Sequence, residues 1–139
     1  MDLSITRADH GDRTVVRLGG EIDVYTAPFV REKLDEQIHA GRPDLVVDLS
    51  DVTFLDSTGL GVLVGRLKIA RTRGGSLRLI CTAERVLRVF AITGLDKVFE
   101  IYSDLESALD ASEADDEAQG QARGQGQAPT PPAATNSRG

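Results

Sequence analysis

Residues 45–68, LVVDLSDVTFLDSTGLGVLVGRLK, join two patterns that constrain the fold more than any other part of the chain. Residues 45–49 are aliphatic except for Asp48, as expected of a strand covered on both faces. From Ser57 onward Leu60, Leu63, Val64, Leu67 and Ala70 gather on one side of an ideal helix. A strand that runs almost directly into an amphipathic helix calls for a sheet with helices packed on at least one face. Ser57 stands at the junction.

The rest of the chain repeats this alternation. Residues 3–6 and 14–18 read as short strands joined by a polar turn at 9–12, an antiparallel hairpin. Residues 27–40 carry Phe29, Val30, Leu34 and Ile38 along one helical stripe, and Gly41 ends that helix. Residues 76–81 repeat the strand pattern and 84–92 the helical one; 97–102 read as a weak edge strand, and 104–109 begin a last helix. Two strands followed by alternating helices and strands predict a single α/β domain. Its sheet is mixed and four- to five-stranded, with helices packed mainly on one face.

A length of 139 residues allows one domain with a modest core, and 4% aromatic residues with no Trp make that core aliphatic. After Leu109 large apolar residues almost vanish, and such a segment cannot offset its ordering entropy. The domain is therefore placed at 1–111 and a disordered tail at 112–139. The tail carries Glu113, Asp115, Asp116 and Glu117 against Arg123 and Arg138, and its plainest reading is a solvated segment, with a regulatory or docking role left open. A net charge of −6 argues against nucleic acid or an anionic membrane as the main partner and favours a protein or small ligand. Cys81 stands alone, the N-terminus lacks the apolar stretch of a signal peptide, and no apolar run approaches the roughly 18 residues of a membrane span. A cytoplasmic protein is expected.

At the start of a helix, unpaired N–H groups and the positive end of the macrodipole favour a phosphate, which makes Ser57 a candidate phospho-switch. Ser57, Gly61, Gly65, Lys68 and Thr72 share a small or polar helix face. Glycine inside a helix costs about 0.5 to 1 kcal/mol relative to alanine, so Gly61 and Gly65 need a compensating use. Close approach of another backbone would supply one, from within this chain or from a partner. The presence of Ser57 on the same face favours the partner. Capping is the ordinary reading of Asp56, Ser57 and Thr58, but three capping residues exceed the need of one helix start, and Leu60 stands where a capping-box acid would.

Enzymatic readings lack parts. His10 lies in a predicted turn, His39 ends a helix, and residues 55–59 lack the first glycine of a nucleophile elbow, so no base is in place for a serine hydrolase. DSTGLG has no lysine after it for a phosphate-binding ATPase, the glycines of GLGVLVG do not match a dinucleotide fingerprint, and one Cys with two distant His makes no metal site.

The segment VVDLSDVTFLDSTGLGVLVGRLK resembles the anti-sigma factor antagonists, which carry the STAS domain, and is most similar to actinobacterial forms. The resemblance extends through GGEIDVYTAP at 19–28 and GGSLRLICTAERVLRVFAITGLDKVF at 74–99, and leaves the tail outside. It implies that Ser57 is phosphorylated by an anti-sigma factor acting as an ATP-dependent serine kinase, that Thr58 is not the acceptor, and that Asp23, Asp56, Glu21 and Thr58 shape the site. Partner contacts are expected at Gly59, Gly61, Val62 and Gly65. The resemblance also implies a partner-switching cycle without catalysis, cofactor or metal by this chain: the unphosphorylated form binds the anti-sigma factor and frees the sigma factor, phosphorylation ends binding, and a phosphatase restores it. A STAS module that senses or scaffolds within a larger complex, and a small hydrolase using Ser57, are the other functions open to such a sequence.

Overall fold

A computed structural model describes residues 2–110; the expected tail at 112–139 lies outside the described residues. Strands β1 (Leu3–His10) and β2 (Arg13–Ile22) form the antiparallel hairpin, turning at Gly11, whose φ of 63° is open to glycine at little cost. Helix α1 (Ala27–His39) leads to β3 (Asp44–Leu55), α2 (Ser57–Thr72) to β4 (Ser76–Ile80), and α3 (Glu84–Thr93) to β5 (Glu100–Tyr102). A short helix α4 (Leu105–Asp110) follows.

The five strands lie in chain order, β1 to β5, and β2 to β5 are all parallel. Parallel crossovers are right-handed, so three successive ones moving the same way along a sheet deliver their helices to the same face. The core divides accordingly. Val16, Leu18, Leu45, Val47, Leu49, Leu77 and Leu79 meet Leu34, Leu63, Leu67 and Phe90 of α1, α2 and α3 in the main cluster. Val15, Val46 and Ile80, alternating with them along the strands, meet Ala108 of α4 on the opposite face. The aliphatic run of β3 is thus covered on both sides.

Asp48, the one charge in that run, is buried on the second face, where Arg17 Nε donates to its Oδ2 at 3.2 Å and the Ser50 amide to its Oδ1 at 2.9 Å. Arg78, fully buried, lies 3.8 Å from the Glu100 carboxylate and donates to the Ala108 carbonyl at 2.7 Å, pinning α4 against the sheet.

Several details differ from expectation: β1 and β2, expected at 3–6 and 14–18, run on to His10 and Ile22. β3 continues past residue 49 to Leu55, because Asp51, Val52, Phe54 and Leu55 find partners along β2 despite their mixed polarity. The edge strand expected at 97–102 shrinks to Glu100–Tyr102, since Leu95–Lys97 forms a 3-10 turn after Gly94. Phe29 is not in the buried stripe of α1: Ala27, Val30, Leu34 and Ile38 face inward, and Phe29, one residue from Val30 and so about 100° away, points to solvent.

Candidate functional site

β2 and β3 end side by side, Ile22 opposite Leu55, and the Asp56 amide donates to the Ile22 carbonyl at 3.2 Å. Asp56 is extended, with φ −106° and ψ −174°, and caps α2: its Oδ1 accepts from the amides of Thr58 at 2.9 Å and Gly59 at 3.1 Å. Its carbonyl accepts from Leu60 at 3.0 Å. One aspartate therefore satisfies three of the helix's first amides. Of the three consecutive candidates for the cap, Asp56 takes the role alone. Ser57 is the first helical residue, exposed, and its hydroxyl makes no hydrogen bond with any described residue. Thr58 beside it is exposed too and contributes its amide to the cap. Of the first-turn amides expected to be open to a phosphate, those of Thr58 and Gly59 are already occupied, and that of Ser57 itself has no partner among the described residues.

The loop leaving β2 is equally well defined. Asp23 Oδ1 accepts from the amides of Tyr25 at 2.9 Å and Thr26 at 3.0 Å, while Thr26 Oγ1 donates to the Glu21 carbonyl at 2.7 Å and accepts from the Asp23 amide at 2.9 Å. Partial desolvation, the largest single influence on the Asp23 carboxyl, pushes its pKa up, but the amides of Thr26 and Tyr25 and the Thr26 hydroxyl together hold it below the ordinary value. Asp23 thus acts inward, on the loop, and Glu21 takes part through its carbonyl.

Between those bonded ends the side chains of Val24 and Tyr25 project outward, 57% and 69% exposed. Phe29 at 59% and Phe54 at 47% bring to four the exposed large apolar residues on the elements that meet at this end of the sheet; Ile92 on α3 is the fifth among the described residues. Sequence reasoning did not single out Val24, Tyr25 or Phe54. An apolar pair enclosed by Asp23 and Thr26, in a segment too short to bury it, was the available signal.

The glycines of α2 separate into two kinds. Gly59, expected among the partner contacts, is instead buried: a Cβ there would lie 2.6 Å from Leu55 Cδ1 and 2.7 Å from Ile22 Cγ2, so close internal packing explains it. Around Gly61 and Gly65 a Cβ would meet nothing within 4 Å. Close approach within the described chain therefore does not account for them. Val62 is half-buried against the main core, which leaves only part of it facing outward.

Such a fold, with an exposed serine heading the helix after its central strand, places the protein in a known class: the chain belongs to the STAS domain family, whose model matches residues 4–108. An anti-sigma-B factor antagonist of Bacillus subtilis (strain 168) is 41% identical over 109 residues, covering 78% of this chain and 99% of that protein. One from Staphylococcus epidermidis is 40% identical over 101 residues, covering 73% of this chain and 94% of that protein. A crystal structure of an anti-sigma factor antagonist from Mycobacterium paratuberculosis is similar with a TM-score of 0.72 and 33% identity, covering 78% of this chain and 92% of that one. Among the described residues no helix is long and apolar enough to cross a membrane, and no group of three His, Cys, Asp or Glu is placed to hold a metal ion.

Proposed function

We propose that this chain is a cytoplasmic anti-sigma factor antagonist that works by partner switching and catalyses no reaction itself. The observation that carries the reading is the Ser57 hydroxyl, exposed and without a hydrogen-bond partner among the described residues, just past the end of β3, whose neighbour β2 leads into the loop of outward-facing Val24 and Tyr25. Unphosphorylated, the protein docks this end of the sheet onto an anti-sigma factor with serine kinase activity, and the sigma factor is set free. Gly61 and Gly65 let the partner's backbone come close to α2. Ser57 Oγ then attacks the γ-phosphorus of ATP held by the partner; the new O–P bond forms as the bond to ADP breaks, and the hydroxyl proton passes to a base on the kinase.

The phosphate carries about −1.5 to −2 charges at neutral pH. Burying it in an interface that already contains Asp56, with no new cation supplied, weakens docking; a loss of about 4 kcal/mol turns micromolar affinity into millimolar. The change is local, since Ser57 is exposed in the folded domain and its modification needs no rearrangement of the core. A phosphatase resets the cycle.

Mass spectrometry of the protein isolated from its native cells tests the reading: one phosphate on Ser57 and a co-purifying anti-sigma kinase are expected, and a phosphate on Thr58 or elsewhere refutes the acceptor assignment. With that kinase and labelled ATP, Ser57→Ala takes up no label and keeps its affinity. Ser57→Asp loses affinity only in part, because it adds one charge where phosphate adds nearly two.

A further inference from the structure

Phosphate on a side chain at a helix start ordinarily has somewhere to go. The unpaired amides of the first turn accept its oxygens, and the helix dipole favours its charge. Here the amides of Thr58 and Gly59 are both taken by one carboxylate oxygen of Asp56, and that of Leu60 by the Asp56 carbonyl as in any helix; the Ser57 amide is the one first-turn donor left without a partner among the described residues. Bonds from an amide to a carboxylate are charge-assisted, as those to a phosphate would be, so a phosphate gains little by displacing Asp56 from them. No Lys or Arg occurs at 18–30 or 43–65, so neither the ends of β2 and β3 nor the first two turns of α2 offer a cation instead. Glu21 and Asp23 add further negative charge at the neighbouring strand end.

We propose that Asp56 is the positioning residue of the switch: its carboxylate denies the amides of Thr58 and Gly59 to a phosphate on Ser57 and holds the dianion outward, on the surface that meets the partner. The proposal rests on Ser57 being the acceptor and adds what makes its modification effective. A phosphate folded onto the amides would be partly neutralised and turned away from the interface; one kept off them presents its full charge to the docking protein. Asp56 and phosphoserine 57 then compete for the same donors, and Asp56 wins.

The test uses the full chain with phosphoserine installed at position 57 during translation, in the wild type and in Asp56→Gly, since glycine is a tolerated N-cap that leaves both amides open. In the wild type, phosphorus NMR should place the second phosphate ionisation at or above its ordinary value of about 6, and the amide signals of Thr58 and Gly59 should barely move on phosphorylation. In Asp56→Gly both amides should shift strongly downfield and the ionisation should fall. The ratio of phosphorylated to unphosphorylated Kd for the anti-sigma partner should shrink about tenfold, the worth of one charge-assisted bond. A wild-type protein with strong downfield shifts and a depressed phosphate ionisation overturns the proposal, because its phosphate has already displaced Asp56 or found a cation. These spectra come from the chain itself and can fail while Ser57 remains the acceptor; a phosphate mapped to another residue in cells fails the acceptor reading instead.

Discussion

Gly61→Ala and Gly65→Ala should make the protein more stable and less able to bind. Neither glycine has a positive φ, and a Cβ at either position meets no atom within 4 Å, so nothing in the described structure opposes the added methyl. Each substitution should therefore recover the helix preference of alanine over glycine, about 0.8 to 1 kcal/mol, partly by narrowing the unfolded ensemble. In a domain of this size 1 kcal/mol moves Tm by roughly 4 to 8 °C, well within reach of calorimetry. If a partner backbone lies against this face, the same methyl is an overpacking defect worth about 1 to 3 kcal/mol there, or a loss of about five- to 150-fold in affinity by titration calorimetry. Gly59→Ala is the control. Its Cβ would fall within 3.0 Å of both Leu55 and Ile22, so it should destabilise the fold or leave it unchanged, never strengthen it as its neighbours do. Lower stability in Gly61→Ala would refute the open environment of that face; higher stability with unchanged affinity would refute its use by a partner.

Tyr25→Ser and Val24→Ser remove exposed apolar surface, so thermal stability should stay within about 0.5 kcal/mol of wild type while affinity for the anti-sigma factor drops, as surface plasmon resonance would record. The depressed pKa of Asp23 makes a signed prediction: its stabilising contribution is fully present above the ordinary carboxylate range and fades as pH falls through the lower folded value. Urea midpoints followed down from neutral pH should thus decline less steeply in Asp23→Asn than in wild type. Arg78→Met strips Glu100 of a buried cationic neighbour and should cost about 3 to 5 kcal/mol in chemical denaturation, and adding Glu100→Leu should return part of it.

The α/β alternation, the hairpin and the serine at the strand-to-helix junction were legible because each rests on a short-range pattern: periodicity, turn residues and the order of elements. Even the face bearing the helices follows from order and handedness, given the sequential parallel strands. The far half of β3 was not legible. Ser50, Asp51 and Thr53 break the apolar run that marks the strand, and it is the pairing of Asp51, Val52, Phe54 and Leu55 with β2, across two register shifts, that carries β3 on to Leu55. Phe29 was misplaced because an aromatic ring one residue off a stripe weighs heavily in a pattern count and nothing in a single sequence says which side of it faces water. Gly59 and Gly61 differ by two positions and look alike in sequence; the packing of Ile22 and Leu55 separates them. The division of labour among Asp56, Ser57 and Thr58 is likewise a matter of backbone angles, since all three residue types can cap.

The hydrogen bonds that shape the loop after β2 run through Asp23, Thr26 and main-chain atoms, and none uses the side chain of residue 24 or 25. Those two positions can therefore be rewritten without moving Ser57, which follows its own cap, Asp56, on the adjoining strand. Duplicated copies of such a protein could diverge in whom they address while keeping how they are switched off, and a graft of two residues would be the natural way to redirect one copy to another's kinase.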